Sequence, residues 1–147
     1  MIKVKRIDHV AVAVADRDAA AQDLSSLFGL TAGARETVAN QKTDVTFLHA
    51  GDPAGDDAAV EICAPAGNAA LEKFLARRGP GLHHVCFEVE DLGGTLATLK
   101  AAGVRLIDET PRPGARGHLV AFLHPAATGG VLFELCEPAP SHTGSAA

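Results

Sequence analysis

Four side chains of this sequence fall into two matched pairs, His9 with His84 and Glu61 with Glu134. His9 lies in Ile7-Asp8-His9-Val10 and His84 in Leu82-His83-His84-Val85, 75 residues further on. Glu61 opens Glu61-Ile62-Cys63-Ala64-Pro65, and Glu134 opens Glu134-Leu135-Cys136-Glu137-Pro138 at an offset of 73. Each Glu sits inside an apolar run, where an unpaired buried carboxylate is costly. A single His on a strand is most often a hydrogen-bonded core or rim residue. Two imidazoles and two carboxylates under one repeat are instead a donor set for a divalent metal. Such a set leaves two octahedral positions open for water or substrate and suits Mn, Co, Fe, Ni or Zn.

The elements that must position these residues repeat with them. Asp16 aligns with Asp91, and Phe47-Leu48-His49 with Phe122-Leu123-His124, again 75 apart. Each copy opens on a period-two strand. Val10, Val12 and Val14 share one face, opposite His9, Ala11 and Ala13; Val85, Phe87 and Val89 oppose His84, Cys86 and Glu88. This parity turns His9 and His84 inward and leaves His83 with the packing face. Glu61 opposes Val60 and Ile62, and Glu134 opposes Phe133 and Leu135, so both carboxylates turn inward as well. Asp16 and Asp91 are favoured N-caps, and Gly29 and Gly103 stand where a helix ends. The pattern predicts helices over 17–28, 71–78 and 92–102, and strands over 33–38, 45–49, 60–64, 105–109, 119–124 and 131–136. Segments 51–57 and 111–117, rich in Gly and Pro, predict hairpin loops. The expected fold is α+β: two tandem βαβββ modules forming a curved eight-stranded sheet around a metal-binding cavity. Residues 1–138 form one domain, with modules at about 7–66 and 82–138, and 139–147 read as a disordered tail.

Length and composition agree with one ordinary globular unit: 147 residues, 47% hydrophobic and 21% charged. A net charge of -5 argues against nucleic-acid binding, and the longest apolar runs are strand-sized, which argues against a membrane span. Trp and Tyr are absent, which disfavours stacking platforms and aromatic cages. Three cysteines without CxxC spacing indicate reduced thiols. Met1-Ile2-Lys3-Val4-Lys5-Arg6 leads into Asp8 and His9 rather than an apolar stretch, so a cytoplasmic location is expected. Cys63, Cys86 and Cys136 each follow a proposed ligand by two residues, ~6.6 Å along a strand, and read as apolar filler.

The runs Ile7-Asp8-His9-Val10-Ala11-Val12-Ala13-Val14, Gly81-Leu82-His83-His84-Val85 and Gly103-Val104-Arg105-Leu106-Ile107-Asp108-Glu109 resemble the methylmalonyl-CoA epimerases. So do Phe122-Leu123-His124-Pro125 and Thr128-Gly129-Gly130-Val131-Leu132-Phe133-Glu134-Leu135. That family belongs to the vicinal oxygen chelate (glyoxalase) superfamily, and the resemblance spans about 7–137. It implies a divalent metal, commonly cobalt or manganese, held by His9, Glu61, His84 and Glu134. It also implies 2R/2S epimerisation of an acyl-CoA substrate by C2 proton abstraction through a metal-stabilised enolate, and a homodimer. Glu134 is then one acid–base group. Some family members carry the other as a Glu where this chain has Val45, so Glu61 is the substitute, with His49 and its counterpart His124 weaker candidates. Lys73, Arg77, Arg78, Arg112 and Arg116 are candidates for the phosphates of CoA. Asn40-Gln41-Lys42 and Pro125-Ala126 depart from the family pattern at positions that bear on substrate contacts. The competing expectations are a glyoxalase-like lyase, a dioxygenase and a ligand-sequestering protein of the same superfamily.

Overall fold

The alternation that begins at Ile7 forms the first strand, β1 (Arg6–Ala13), and beyond it the Asp16 carboxylate accepts the Ala19 N–H. That cap starts α1 (Arg17–Phe28), which Gly29 closes at φ 67°, a left-handed conformation that favours glycine. The computed structural model describes residues 1–140. After α1 come β2 (Thr31–Ala32), β3 (Glu36–Val38), β4 (Thr43–His49) and β5 (Ala59–Pro65). Helix α2 (Ala69–Arg78) connects the halves. The second contains β6 (Gly81–Glu88), α3 (Leu92–Ala101), β7 (Arg112–Pro113), β8 (Leu119–Phe122) and β9 (Phe133–Glu137).

The strands form one sheet in the order β2-β4-β5-β1-β6-β9-β8-β7, with β3 also paired to β4. β2 and β3 share one edge of β4, so nine strands among the described residues fill eight lateral places. β1 runs parallel to β5, and β6 parallel to β9; β1 and β6 join the halves antiparallel at the centre. The curved sheet of two related modules expected from the repeat is therefore present.

Each half buries its sheet under its own helix. Val12 and Val14 pack with Ala21, Leu48 and Ile62 under α1, while Leu92, Leu96 and Leu99 of α3 cover Val89, Ala121 and Leu135. Burying each such Leu is worth about 1.5–3 kcal/mol. Leu71 of α2 closes over Ala11, Ala13, Phe47 and Cys63, on the face that carries His9.

Two expected strands differ. Segment 105–109 makes only a bridge between Leu106 and Leu123, because the Asp108 side chain takes the Phe122 N–H (2.8 Å) that a ladder would use. Of segment 33–38 only 36–38 is strand, as β3; β2 ends just before it, and between them the Thr46 hydroxyl donates to the carbonyls of Gly33 and Ala34. Ala139 and Pro140 carry no regular structure, and the remainder of the expected tail, 141–147, lies outside the described residues.

The candidate metal centre

Register brings the four matched side chains together. β1 aligns Ala11 with Glu61 of β5 and with His84 of β6, while β6 aligns Cys86 with both His9 and Glu134. His9 Nε2 lies 2.9 Å from Glu61 Oε2, 3.3 Å from Glu134 Oε1 and 3.3 Å from His84 Nε2; His84 Nε2 lies 3.7 Å from Glu134 Oε1. Donor atoms of His9, His84 and Glu134 all fall within 4.8 Å of one another, and Glu61 joins them through His9. Neighbouring ligands at ~2.1 Å from a first-row divalent ion stand ~3.0 Å apart, so the spacing fits such an ion. All four residues are buried. The only ion-pair partners of the two carboxyl groups among the described residues are the two imidazoles, rings that are neutral in their ordinary state. A divalent cation would supply positive charge there, and the donors are of types that first-row metals accept. In the chain alone the His9 imidazole answers that demand. Burial pulls His9 down, but Glu61, Asp8 and Glu134 hold it well above its ordinary value. Burial likewise pushes Glu134 up, and the two histidines hold it well below the usual carboxylate range.

Around these four lies a ring that the strand parity did not anticipate. The β1–β6 register slips twice, leaving Asp8 without a partner between Ile7 and His9, and His83 without one opposite the step from Ala11 to Val12. Both slips are bulges, and each turns an extra residue toward the centre. Asp8, 1% exposed, lies with Oδ2 2.6 Å from His9 Nδ1. His83 Nδ1 lies 2.9 Å from His84 Nδ1, so the expectation that His83 shares the packing face is corrected: it lines the cavity. Burial and the neighbouring His84 pull His83 down to about 4, which leaves it neutral at pH 7. Arg116 donates to Asp8 Oδ2 at 2.6 Å and lies 3.9 Å over the Phe47 ring. Its backbone holds a positive φ of 59°.

A cavity of about 440 Å³ opens onto this centre, lined by Thr43, Glu61, Cys63, His84, Arg112 and Phe122. Arg112 is held there by Asp108 (3.3 Å) and the face of Phe122. Ala70, His83 and Leu132 also border a second cavity of about 630 Å³, whose rim carries Lys73, Arg77 and Arg78. A void of about 20 Å³ lies behind the centre, bordered by His9, Glu61, Glu134, Val45 and Arg116. Val45 is buried there, so β4 offers no carboxylate on this face. His49 ends β4, and His124 caps a short turn by accepting the Ala126 N–H; neither borders these cavities. The cysteines are free and buried, Cys86 and Cys136 packed with Val120.

The model of the Glyoxalase/Bleomycin resistance protein/Dioxygenase superfamily matches residues 8–122. The chain is 36% identical over 138 residues to the mitochondrial methylmalonyl-CoA epimerase of Dictyostelium discoideum, covering 92% of this chain and 80% of that one. The chain belongs to the methylmalonyl-CoA epimerase family of this superfamily. The ethylmalonyl-CoA/methylmalonyl-CoA epimerase of Cereibacter sphaeroides is 33% identical over 90% of this chain and 97% of its own. A Ser-to-Thr variant of the Streptomyces coelicolor methylmalonyl-CoA epimerase, in complex with 2-nitronate-propionyl-CoA, superposes with a TM-score of 0.87. It is 31% identical, over 94% of this chain and 97% of that one.

The epimerase-family centre in this chain thus has a second layer, Asp8, His83 and Arg116, that spacing alone missed. A signal for two of the three was present: the repeat aligns Asp8 with His83, two polar residues each preceding a matched His.

Proposed function

We propose that the chain interconverts the 2R and 2S forms of methylmalonyl-CoA, with His9, Glu61, His84 and Glu134 holding a divalent metal, Co2+ or Mn2+ first. Ni2+, Fe2+ and Zn2+ suit the same donors. The observation that carries this is the meeting of His84, Glu134 and Glu61 around His9, with Glu61 and His84 lining the 440 Å³ cavity, in a chain of the epimerase family. The metal, when bound, supplies Lewis-acid stabilisation of the negative charge that develops on the thioester oxygen as C2 loses its proton.

The chain's own residues move the proton. One carboxylate, Glu134 or Glu61 according to the substrate's hand, takes the C2 proton, and the C–H electron pair passes into the thioester carbonyl. The other carboxyl, which enters the turnover carrying a proton, returns that proton to the opposite face of C2, so the pair holds one proton before and after. Glu61 borders both the open cavity and the small void behind the centre, and Glu134 borders that void. Phe122 and Leu132 line the apolar wall of the cavity, where the methyl group packs. Lys73, Arg77 and Arg78 on α2 receive the phosphates of CoA at the rim of the second cavity. The proposal places the protein in the cytoplasm with reduced thiols, as a homodimer whose mass sedimentation equilibrium reads directly.

The test is deuterium incorporation at C2. Metal-loaded protein incubated with methylmalonyl-CoA in heavy water exchanges that hydrogen. Glu134→Gln slows the exchange by about 10²–10⁴-fold, and His84→Ala lowers metal content together with exchange. Absence of exchange in the native, metal-loaded protein sinks the proposal. Exchange untouched by either substitution sinks the site assignment.

A further inference from the structure

The two imidazoles of the centre are backed by different partners at equivalent places. On the enclosed side, His9 Nδ1 meets the Asp8 carboxylate at 2.6 Å, and Arg116 neutralises that carboxylate from 2.6 Å. On the open side, His84 Nδ1 meets His83 Nδ1 at 2.9 Å, and His83 borders both large cavities. The His83 ring is held by edge contacts to Phe74 (centroids 4.9 Å) and to His84 (5.2 Å).

Two ring nitrogens at 2.9 Å share one hydrogen, so one donates and the other accepts. A neutral imidazole that turns its Nε2 lone pair toward a cation keeps its hydrogen on Nδ1. His84 Nε2 is the nitrogen that faces His9 and Glu134. Its Nδ1 therefore donates, His83 Nδ1 accepts, and the remaining hydrogen of His83 lies on Nε2. Asp8 performs the same service for His9. The halves differ in charge for a reason visible in the cavities. Asp8 borders neither large cavity, whereas position 83 stands where an acyl chain with its own carboxylate and phosphates would pass. A second carboxylate there would repel that ligand without an Arg116 to offset it.

Resting on the metal-dependent epimerase proposal, we infer that His83 is a positioning residue. It is the uncharged acceptor that fixes the tautomer of His84 on the substrate side of the centre, where the enclosed side uses an arginine-paired carboxylate.

The test is a Co2+ titration of the full chain by calorimetry and visible absorption, followed by steady-state kinetics. His83→Ala weakens Co2+ binding about 10–100-fold and alters the cobalt absorption bands. His83→Asn, whose amide oxygen accepts the same hydrogen, restores most of the affinity and also serves as the control for folding. His83→Asp restores the affinity too, because Asp8 shows that an Asp at a bulge of this kind reaches the neighbouring Nδ1. It raises KM for the acyl-CoA roughly tenfold with little change in kcat. Native Co2+ affinity and spectrum in His83→Ala overturn the positioning role while leaving the metal centre standing. An unchanged KM in His83→Asp overturns the argument from charge. Failure of the native protein to bind Co2+ overturns the metal centre and this inference with it.

Discussion

Asp8 shows how much one residue of the second layer holds. Its carboxylate is buried, it accepts from His9 Nδ1, and it pairs with both Arg6 (3.2 Å) and Arg116 (2.6 Å). Burial raises its pKa, but His9 and Arg116 more than offset that and hold it well below the usual carboxylate range. A depressed folded value means that Asp8 contributes stability fully above the unfolded value of ~3.9 and loses that contribution as pH falls toward the folded one. The native chain should therefore lose stability below about pH 4 more steeply than Asp8→Asn, although the variant starts lower at neutral pH. Urea unfolding across pH 3 to 7, at roughly unit steps, reads this directly. Parallel acid limbs in the two proteins would show that Asp8 carries no such linkage.

At the level of elements, period-two alternation reached far and then failed at two places for one reason. The repeat located β1, β6 and their helices, α1 at its observed bounds, and the convergence of His9, Glu61, His84 and Glu134. Side-chain parity within a strand is local and legible; the register between strands is not. The bulges at Asp8 and His83 are slips between β1 and β6, and nothing in either run of residues alone announces them. Arg116 was illegible for a related cause, since its pairing with Asp8 joins a Gly- and Pro-rich loop to a strand 108 residues away. Segment 105–109 has strand composition, and only the contact of Asp108 with Phe122 removes it from the ladder. Helix α2 was legible as a helix, but its role as one wall of both large cavities depends on packing through Leu71. That role carries a prediction. Replacing Lys73, Arg77 and Arg78 together with Ala should raise KM for the CoA thioester on the order of 3–10-fold, from a few tenths of a kcal/mol per exposed charge. Added salt should blunt the native advantage. The N-acetylcysteamine thioester of methylmalonate, which lacks the nucleotide, should be turned over equally well by both proteins. An equal rise in KM for both esters would place the phosphates elsewhere.

Over the whole molecule, the halves meet along the antiparallel β1–β6 seam, and the candidate ligands are divided across it, His9 and Glu61 from one half and His84 and Glu134 from the other. Neither half completes the donor set, so a bound cation acts as a clamp across the seam and its binding energy becomes folding energy for both halves. A ligand that binds only the native state at 100 times its Kd adds about 2.7 kcal/mol, which for a chain of this size corresponds to a rise in Tm on the order of 5–10 °C. Calorimetry with saturating Co2+ should show that rise as one cooperative transition, reversed by a chelator. His9→Ala and His84→Ala, one from each half, should remove it to the same extent, because an incomplete set on either side leaves the seam unclamped. Two separable transitions, with only one moved by Co2+, would mean that the ion belongs to a single half and that the repeat is an architectural doubling without a shared centre.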